Sequence, residues 1–256
     1  MRRAVLALLV LPLALAACGG SKAKSVNSLP PLQAVKSAAQ KTAAAGSAHL
    51  NLTAKVVTGG QNVDLQGTGA FDTTSHEGSL HATFTASALS GAIDEVLKGT
   101  DLYLKSDIFS VGLPAGKTWI RIDLAKAAKS QGVNLQTLLA QDPSQALQAL
   151  QSISGATKLG TATIDGVSTT HYRAQLDPSK LPASLKSVHG YEVWVGDDGY
   201  VHRVTAVANA GKTSSGAVTA SVTTDLSAFG TKVSVTVPPS GQTYDASGGS
   251  IPGLGG

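Results

Sequence analysis

Alternation of apolar and polar residues with a period of two, sustained over several long segments, is what most limits how this chain can fold. Ala48, Leu50, Leu52, Ala54 and Val56 alternate with His49, Asn51, Thr53 and Lys55. Successive side chains of a strand point to opposite faces, so this segment presents one apolar face and one polar face. Val63, Leu65, Gly67, Gly69 and Phe71 repeat the pattern after a turn at Gly59-Gly60, and Leu80, Ala82, Phe84 and Ala86 repeat it again. Such segments are antiparallel strands of a sheet with one face on a core and the other in water. Shorter apolar segments extend the signal around Ile93 to Leu97, Leu102 to Leu104 and Trp119 to Ile122, with Lys98-Gly99-Thr100-Asp101 as a hairpin turn. Strands resume at about 156–164 and 168–176 across Asp165-Gly166, at 190–196 and 200–209 around Asp197-Asp198-Gly199, and at about 216–226 and 232–237.

Two regions leave this rhythm. Leu32, Val35, Ala38, Ala39, Thr42 and Ala43 recur at helical spacing until Gly46, which predicts one amphipathic helix. Between residues 124 and 153, Leu135, Leu138 and Leu139 have helical spacing. There Asp142-Pro143 sets an N-cap before a proline suited to the first helical position. Ala146, Leu147, Ala149, Leu150 and Ile153 line one side of the helix that follows. With 256 residues, 42% of them hydrophobic and only 14% charged, the chain can bury a sizeable core, and a single domain is the simplest reading. Aromatic residues are 4% and the formal charge is +4, which supplies no basic stripe, so nucleic acid is not an expected partner.

The beginning of the sequence reads as an address. Arg2 and Arg3 precede the apolar run Ala4 to Leu15, as in a secretory signal, and the run is too short to cross a bilayer as a helix. Leu15-Ala16-Ala17-Cys18 resembles a bacterial lipobox, in which the Cys thiol is acylated and becomes the mature N-terminus. Cys18 is the only cysteine, so it has no disulfide partner within the chain, and its position gives it a reason to exist. Acyl chains contribute about 0.8 kcal/mol per buried methylene, and two or more hold a protein on a membrane. The expected organisation is a signal peptide at 1–17, lipidated Cys18 with a flexible linker over 18–31, a folded domain at 32–239 and a disordered, glycine-rich tail at 240–256. The expected location is the extracytoplasmic face of the cell membrane.

Catalytic and metal motifs are weak. Val111-Gly112-Leu113-Pro114-Ala115-Gly116-Lys117-Thr118 approaches a phosphate-binding loop, but it has one residue too few between its glycines, and a strand is expected after it rather than a helix. No G-x-S-x-G or H-E-x-x-H occurs, and His76 and His81 would face opposite ways on a strand. Asp197-Asp198-Gly199 fits a hairpin turn better than a calcium loop. Trp119 and Trp194 could stack on a sugar, but aromatic rings this large are more often packed into a core. The expectation is a protein without catalytic residues, metal or cofactor.

The succession of Asp101-Leu102-Tyr103-Leu104-Lys105, Gly116-Lys117-Thr118-Trp119-Ile120, the Asp142-Pro143 helix, Ile164-Asp165-Gly166-Val167 before Thr170-His171-Tyr172, Val193-Trp194-Val195 before Asp198-Gly199, and Phe229-Gly230 resembles the actinobacterial LppX/LprAFG lipoproteins. The resemblance covers roughly residues 35–238, and the plan looks more distantly like LolA-type lipoprotein carriers. It implies an α+β fold, a strongly bent antiparallel β half-barrel with helices packed on its concave face around an apolar cavity. It also implies binding of acylated lipids or glycolipids and their movement across the cell envelope, with an envelope transporter as a possible protein partner.

The residues are compatible with that implication. A two-chain lipid with about 30 methylenes costs on the order of 24 kcal/mol to lift from a bilayer, so a carrier must offer a long apolar surface. From the alternation, the candidate lining is Leu50, Leu52, Leu65, Phe71, Phe84 and Leu104 on strands, with Leu135, Leu138, Leu139, Leu147 and Leu150 on the helical insert. The same faces would equally serve as an ordinary core. Three functions stay open in this order: a lipid carrier, an envelope sensor or scaffold on the same fold acting through a protein partner, and an enzyme.

Overall fold

The computed structural model describes residues 25–58, 61–87, 89–110, 112–131, 144–177, 179, 187–213 and 216–247. Its strands are β1 (Ser47–Thr58), β2 (Gln61–Asp72), β3 (Glu77–Ala86), β4 (Leu89–Lys98), β5 (Asp101–Ser106), β6 (Trp119–Asp123), β7 (Ile153–Ile164), β8 (Val167–Leu176), β9 (Val188–Gly196), β10 (Val201–Thr213), β11 (Gly216–Ser227) and β12 (Thr243–Asp245). The helices are α1 (Pro31–Ala44), α2 (Asp107–Ser110), α3 (Leu124–Gln131) and α4 (Ser144–Gln151).

All twelve strands form one curved, unclosed sheet in the order β12-β6-β5-β4-β3-β2-β1-β11-β10-β9-β8-β7. Two antiparallel meanders, β1 to β6 and β7 to β11, are joined where β1 pairs with β11 from His49↔Ser227 to Thr58↔Val218. Short turns set the registers. Asp165 and Gly166 both take positive φ, 47° and 80°, the backbone that a two-residue hairpin between Ile164 and Val167 requires.

The apolar faces predicted from alternation lie on one side of the sheet. Over β7–β10 that side is covered by α1, which also packs on α4. Helix α1 can approach closely because its buried positions are mostly small: Ala34, Ala38 and Ala39 join Val35 in the core, and all four are fully buried. Pro31 opens the helix where its missing N–H costs nothing, and Gly46, with φ of 75°, lets the chain turn into β1. The buried Thr42 hydroxyl donates to the Ala38 carbonyl at 2.8 Å and accepts from the Val201 backbone N–H at 2.8 Å. That bond satisfies a donor beside a register shift between β9 and β10.

Three expectations change. Residues 25–31 are docked rather than free: Val26–Ser28 forms a 3-10 turn, and the Asn27 side-chain amide donates to the Val195 carbonyl and to Asp197 while its oxygen accepts from the Tyr172 hydroxyl. A short polar side chain can satisfy backbone groups at a hairpin end, which the composition of a linker does not reveal. Residues 232–237 are not a strand of the sheet. Instead 231–239 leads away from β11, starting with Gly230 N–H bonded to Ser47 and passing Glu77, whose carboxylate accepts from Val235 N–H. Residues 240–247, expected to begin a disordered tail, end that path in order. Thr243–Asp245 pairs in parallel with β6, Ala246 is buried, and Asp245 meets Arg121 at 2.9 Å. Free backbone groups on the β6 edge explain why so short a segment is held.

Candidate functional site

The register turns the apolar side into rows that cross many strands. One row reads Leu226, Leu50, Gly69, Leu80, Glu95, Leu104 and Ile120, from β11 to β6. The row beside it reads Thr224, Leu52, Gly67, Ala82, Ile93 and Ser106, and the one beyond reads Val222, Ala54, Leu65, Phe84 and Gly91. On the other flank Ala48, Phe71, Gly78, Leu97, Leu102 and Ile122 form a fourth row. Glycines interrupt these rows where the strands and rings come close. A Cβ on Gly69 would lie 2.3 Å from the Ser79 carbonyl oxygen, and one on Gly91 would lie 2.8 Å from the Phe84 ring. Phe84 therefore occupies the space that a side chain at 91 would need.

Burial divides this face in two. Under α1 and α4, Leu50, Leu226, Val204, Val193 and Tyr172 are sealed together with Leu147, Leu150 and Val35 in a single cluster. Across β2–β6 Leu65, Leu80, Ile93, Leu97, Leu102, Leu104 and Ile122 are only half-buried, set among Phe71, Ala82, Phe84 and Ile120, which are buried. There α2 lies against β4 and β5, and α3 against β6.

The predicted lining divides along the same boundary. Leu50, Phe71, Leu147 and Leu150 are brought together in the packed cluster, with Leu52 against its edge. Leu65, Phe84 and Leu104 lie on the half-buried side, where Phe84 is itself buried over Gly91. Leu135, Leu138 and Leu139, the Asp142-Pro143 cap, the Gly59-Gly60 turn and Cys18 lie outside the described residues. Alternation missed Ile93, Leu97 and Glu95 as members of the site because Gly91 and Glu95 break the apolar period of β4.

Glu95 is the one ionisable group in its row. It faces Leu80 and Leu104 across the strands, and no hydrogen bond or ion pair reaches it among the described residues. Burial pushes its carboxyl above the ordinary carboxylate range. The hydroxyl of Tyr191, on the sealed half, is likewise pushed up by burial.

The polar side is built differently, from cross-strand ion pairs. Arg203 holds Asp225 with two nitrogens, Glu192 meets both His171 and Arg173, and Asp94 meets His81 and Lys105. Trp194, expected in a core, belongs to this face: its ring stacks on His171 with centroids 4.0 Å apart, and Arg203 lies 5.8 Å from it. The register explains the difference, since Trp194 pairs with Arg203 and His171 while its neighbours Val193 and Val195 point inward. A depression of ≈ 340 Å³ on the polar side is lined chiefly by Asn51, Thr53, Gln66, Thr68, His81 and Thr83. The near-match to a phosphate loop runs from a turn into β6, with no helix after it. Among the described residues no three His, Cys, Asp or Glu side chains converge, and no helix is long and apolar enough to cross a membrane.

No family model and no curated protein matches the sequence. Among solved structures the chain is similar to LprF from Mycobacterium bovis, at 15% identity and a TM-score of 0.48, over 82% of this chain and 99% of that one. It is also similar to the lipoprotein LppX from Mycobacterium tuberculosis, at 16% identity and a TM-score of 0.43, over 80% and 97% of the two chains.

Proposed function

We propose that this chain is a lipoprotein tethered outside the cytoplasm through Cys18, and that it takes the acyl chains of a lipid or glycolipid against the apolar side of β2–β6 and carries them through the envelope. The observation that carries this reading is one continuous apolar face that α1 and α4 seal over β7–β10, while most of its leucines and isoleucines on β2–β6 stay half-buried. A core residue gains most when fully removed from water, at about 25 cal/mol per Å². Leu65, Leu80, Ile93, Leu97 and Leu104 stop short of that, and acyl chains would complete it. An anchor at the lipobox-like end of the signal would keep such a protein beside a bilayer, the source of acyl lipids, which supports the reading.

The test compares a bulky residue on each half. Leu104→Trp should exclude acyl chains and leave the melting temperature of the delipidated protein within a few degrees of the parent. Leu147→Trp enters a packed cluster and should cost about 1 to 3 kcal/mol of stability. Mass spectrometry of lipid co-purifying with each variant from native membranes gives the binding readout. Recovery of the same acyl lipid, in the same amount, with Leu104→Trp would overturn the assignment of this face.

A further inference from the structure

A carrier surface made only of alkyl groups would hold any chain of suitable length, because apolar burial is not directional. Among the described residues the inner face of β2–β6 carries one ionisable exception, the Ser106 hydroxyl beside it being already bonded to Ile108 N–H. Glu95 stands in the middle of the row Leu50, Gly69, Leu80, Glu95, Leu104 and Ile120, with Ile93 and Leu97 flanking it along its own strand. The charged neighbours in sequence and space, Asp94, Lys105 and His81, all belong to the opposite face and pair with one another there. No ionisable side chain shares the inner face of β3, β5 or β6 with Glu95, and among the described residues α2, packed on β4 and β5, brings Asp107 to the same region. A carboxyl group in such surroundings costs stability, since it is partly drawn out of water and no hydrogen bond from the described residues offsets that loss. Leucine or isoleucine would fit the row better, and the alternation of β4 asks for one.

Resting on the carrier reading, we infer that Glu95 selects the ligand: its carboxyl group accepts a hydrogen bond from a donor near the acyl chains, a hydroxyl or an ammonium, and turns away lipids that place a negative charge there. The missing hydrogen-bond partner is then supplied by the cargo. The flanking leucines hold the chains on either side, and the carboxyl sets how far along the face the polar end of the lipid comes to rest. An anionic group at that point would meet a second negative charge in a poorly solvated site, which is strongly unfavourable.

The experiment uses the full chain carrying Cys18→Ser, delipidated, with a neutral naphthylamine probe seated on the apolar face and displaced by chain-matched competitors. Dioleoylglycerol supplies an alcohol hydroxyl, dioleoylphosphatidylethanolamine an ammonium beside its phosphate, and dioleoylphosphatidate, taken at about pH 9 where its phosphate is fully ionised, an anion with neither donor. The parent should favour the better of the two donors over phosphatidate by about tenfold or more, in line with a hydrogen bond to a charged group. Whichever wins identifies the donor. Glu95→Gln, which keeps an acceptor and removes the charge, should retain the donor lipid and lose most of the discrimination against phosphatidate. Glu95→Leu should bind all three alike, and bind the probe at least as well as the parent. An unchanged preference in Glu95→Leu, with probe binding intact, overturns this inference and leaves the carrier reading standing. Failure of the parent to bind the probe or any of the three lipids overturns the carrier reading itself.

Discussion

Thr42 and Glu95 show opposite ways of placing a polar group inside this protein. The Thr42 hydroxyl lies between helix and sheet with both of its bonds made, to the Ala38 carbonyl and from Val201 N–H. Thr42→Val keeps the shape but leaves that buried N–H without an acceptor, so unfolding in urea should show a loss of about 1 to 3 kcal/mol. Thr42→Ser should recover most of it. Glu95 has no hydrogen-bond or ion-pair partner among the described residues, and burial raises its carboxyl pKa. Its folded form therefore binds a proton more tightly than its unfolded form. The stability this favours is fully present at or below the ordinary carboxylate range and is lost as pH rises from there through the folded value. Urea midpoints of lipid-free protein taken between about pH 4 and pH 8 should fall further for the parent than for Glu95→Gln. Parallel curves for the two proteins would show that Glu95 is well solvated.

At the scale of elements, β12 is the informative case. Three residues long, it covers the edge of β6: Arg121 reaches both Asp101 at 2.7 Å and Asp245 at 2.9 Å, and Ala246 N–H bonds the Arg121 carbonyl. The two acids hold the Arg121 guanidinium even more firmly protonated than usual, with Asp101 the larger influence. Truncation after Gly241 should lower the melting temperature by several degrees and promote association through the exposed β6 edge, measurable by calorimetry and sedimentation. An unchanged melt would mean that β12 contributes nothing. The composition around Thr243 gave no sign of this, because a three-residue strand has no period to read and its partner lies at Trp119–Asp123. The long strands were legible for the contrary reason, with β1, β2 and β3 each carrying four or five alternating apolar residues or glycines, and α1 was legible from its small apolar stripe. The site was legible only as a face. Leu50 and Leu65 sit on neighbouring strands with the same alternation, yet one is sealed and the other half-buried, and that difference depends on where α1 comes to lie, which is a tertiary matter.

For the whole molecule, the docking of Asn27 bears on how the domain would sit at a membrane. If Cys18 carries the anchor, the stretch from Cys18 to Ser25 reaches at most about 25 Å when fully extended. The bonds from Asn27 to Val195 and Asp197 would then keep the β9–β10 hairpin end toward the lipid. Cys18→Ser should abolish fatty-acid labelling and move the protein from the detergent phase to the aqueous phase on cloud-point separation. Continued labelling of that variant would place the lipid elsewhere.

The pairing of β1 with β11 also governs the order in which the chain can assemble. Each meander grows by neighbouring hairpins, which close in microseconds, but residue 49 meets residue 227 only after nearly everything between them exists. Until then each half exposes a sheet edge of about the length of β1 or β11, an invitation to other chains. A protein that emerges from an export channel N-terminus first would therefore hold its first meander unfinished while the second is still arriving. The central seam, rather than any turn, is where folding and aggregation compete.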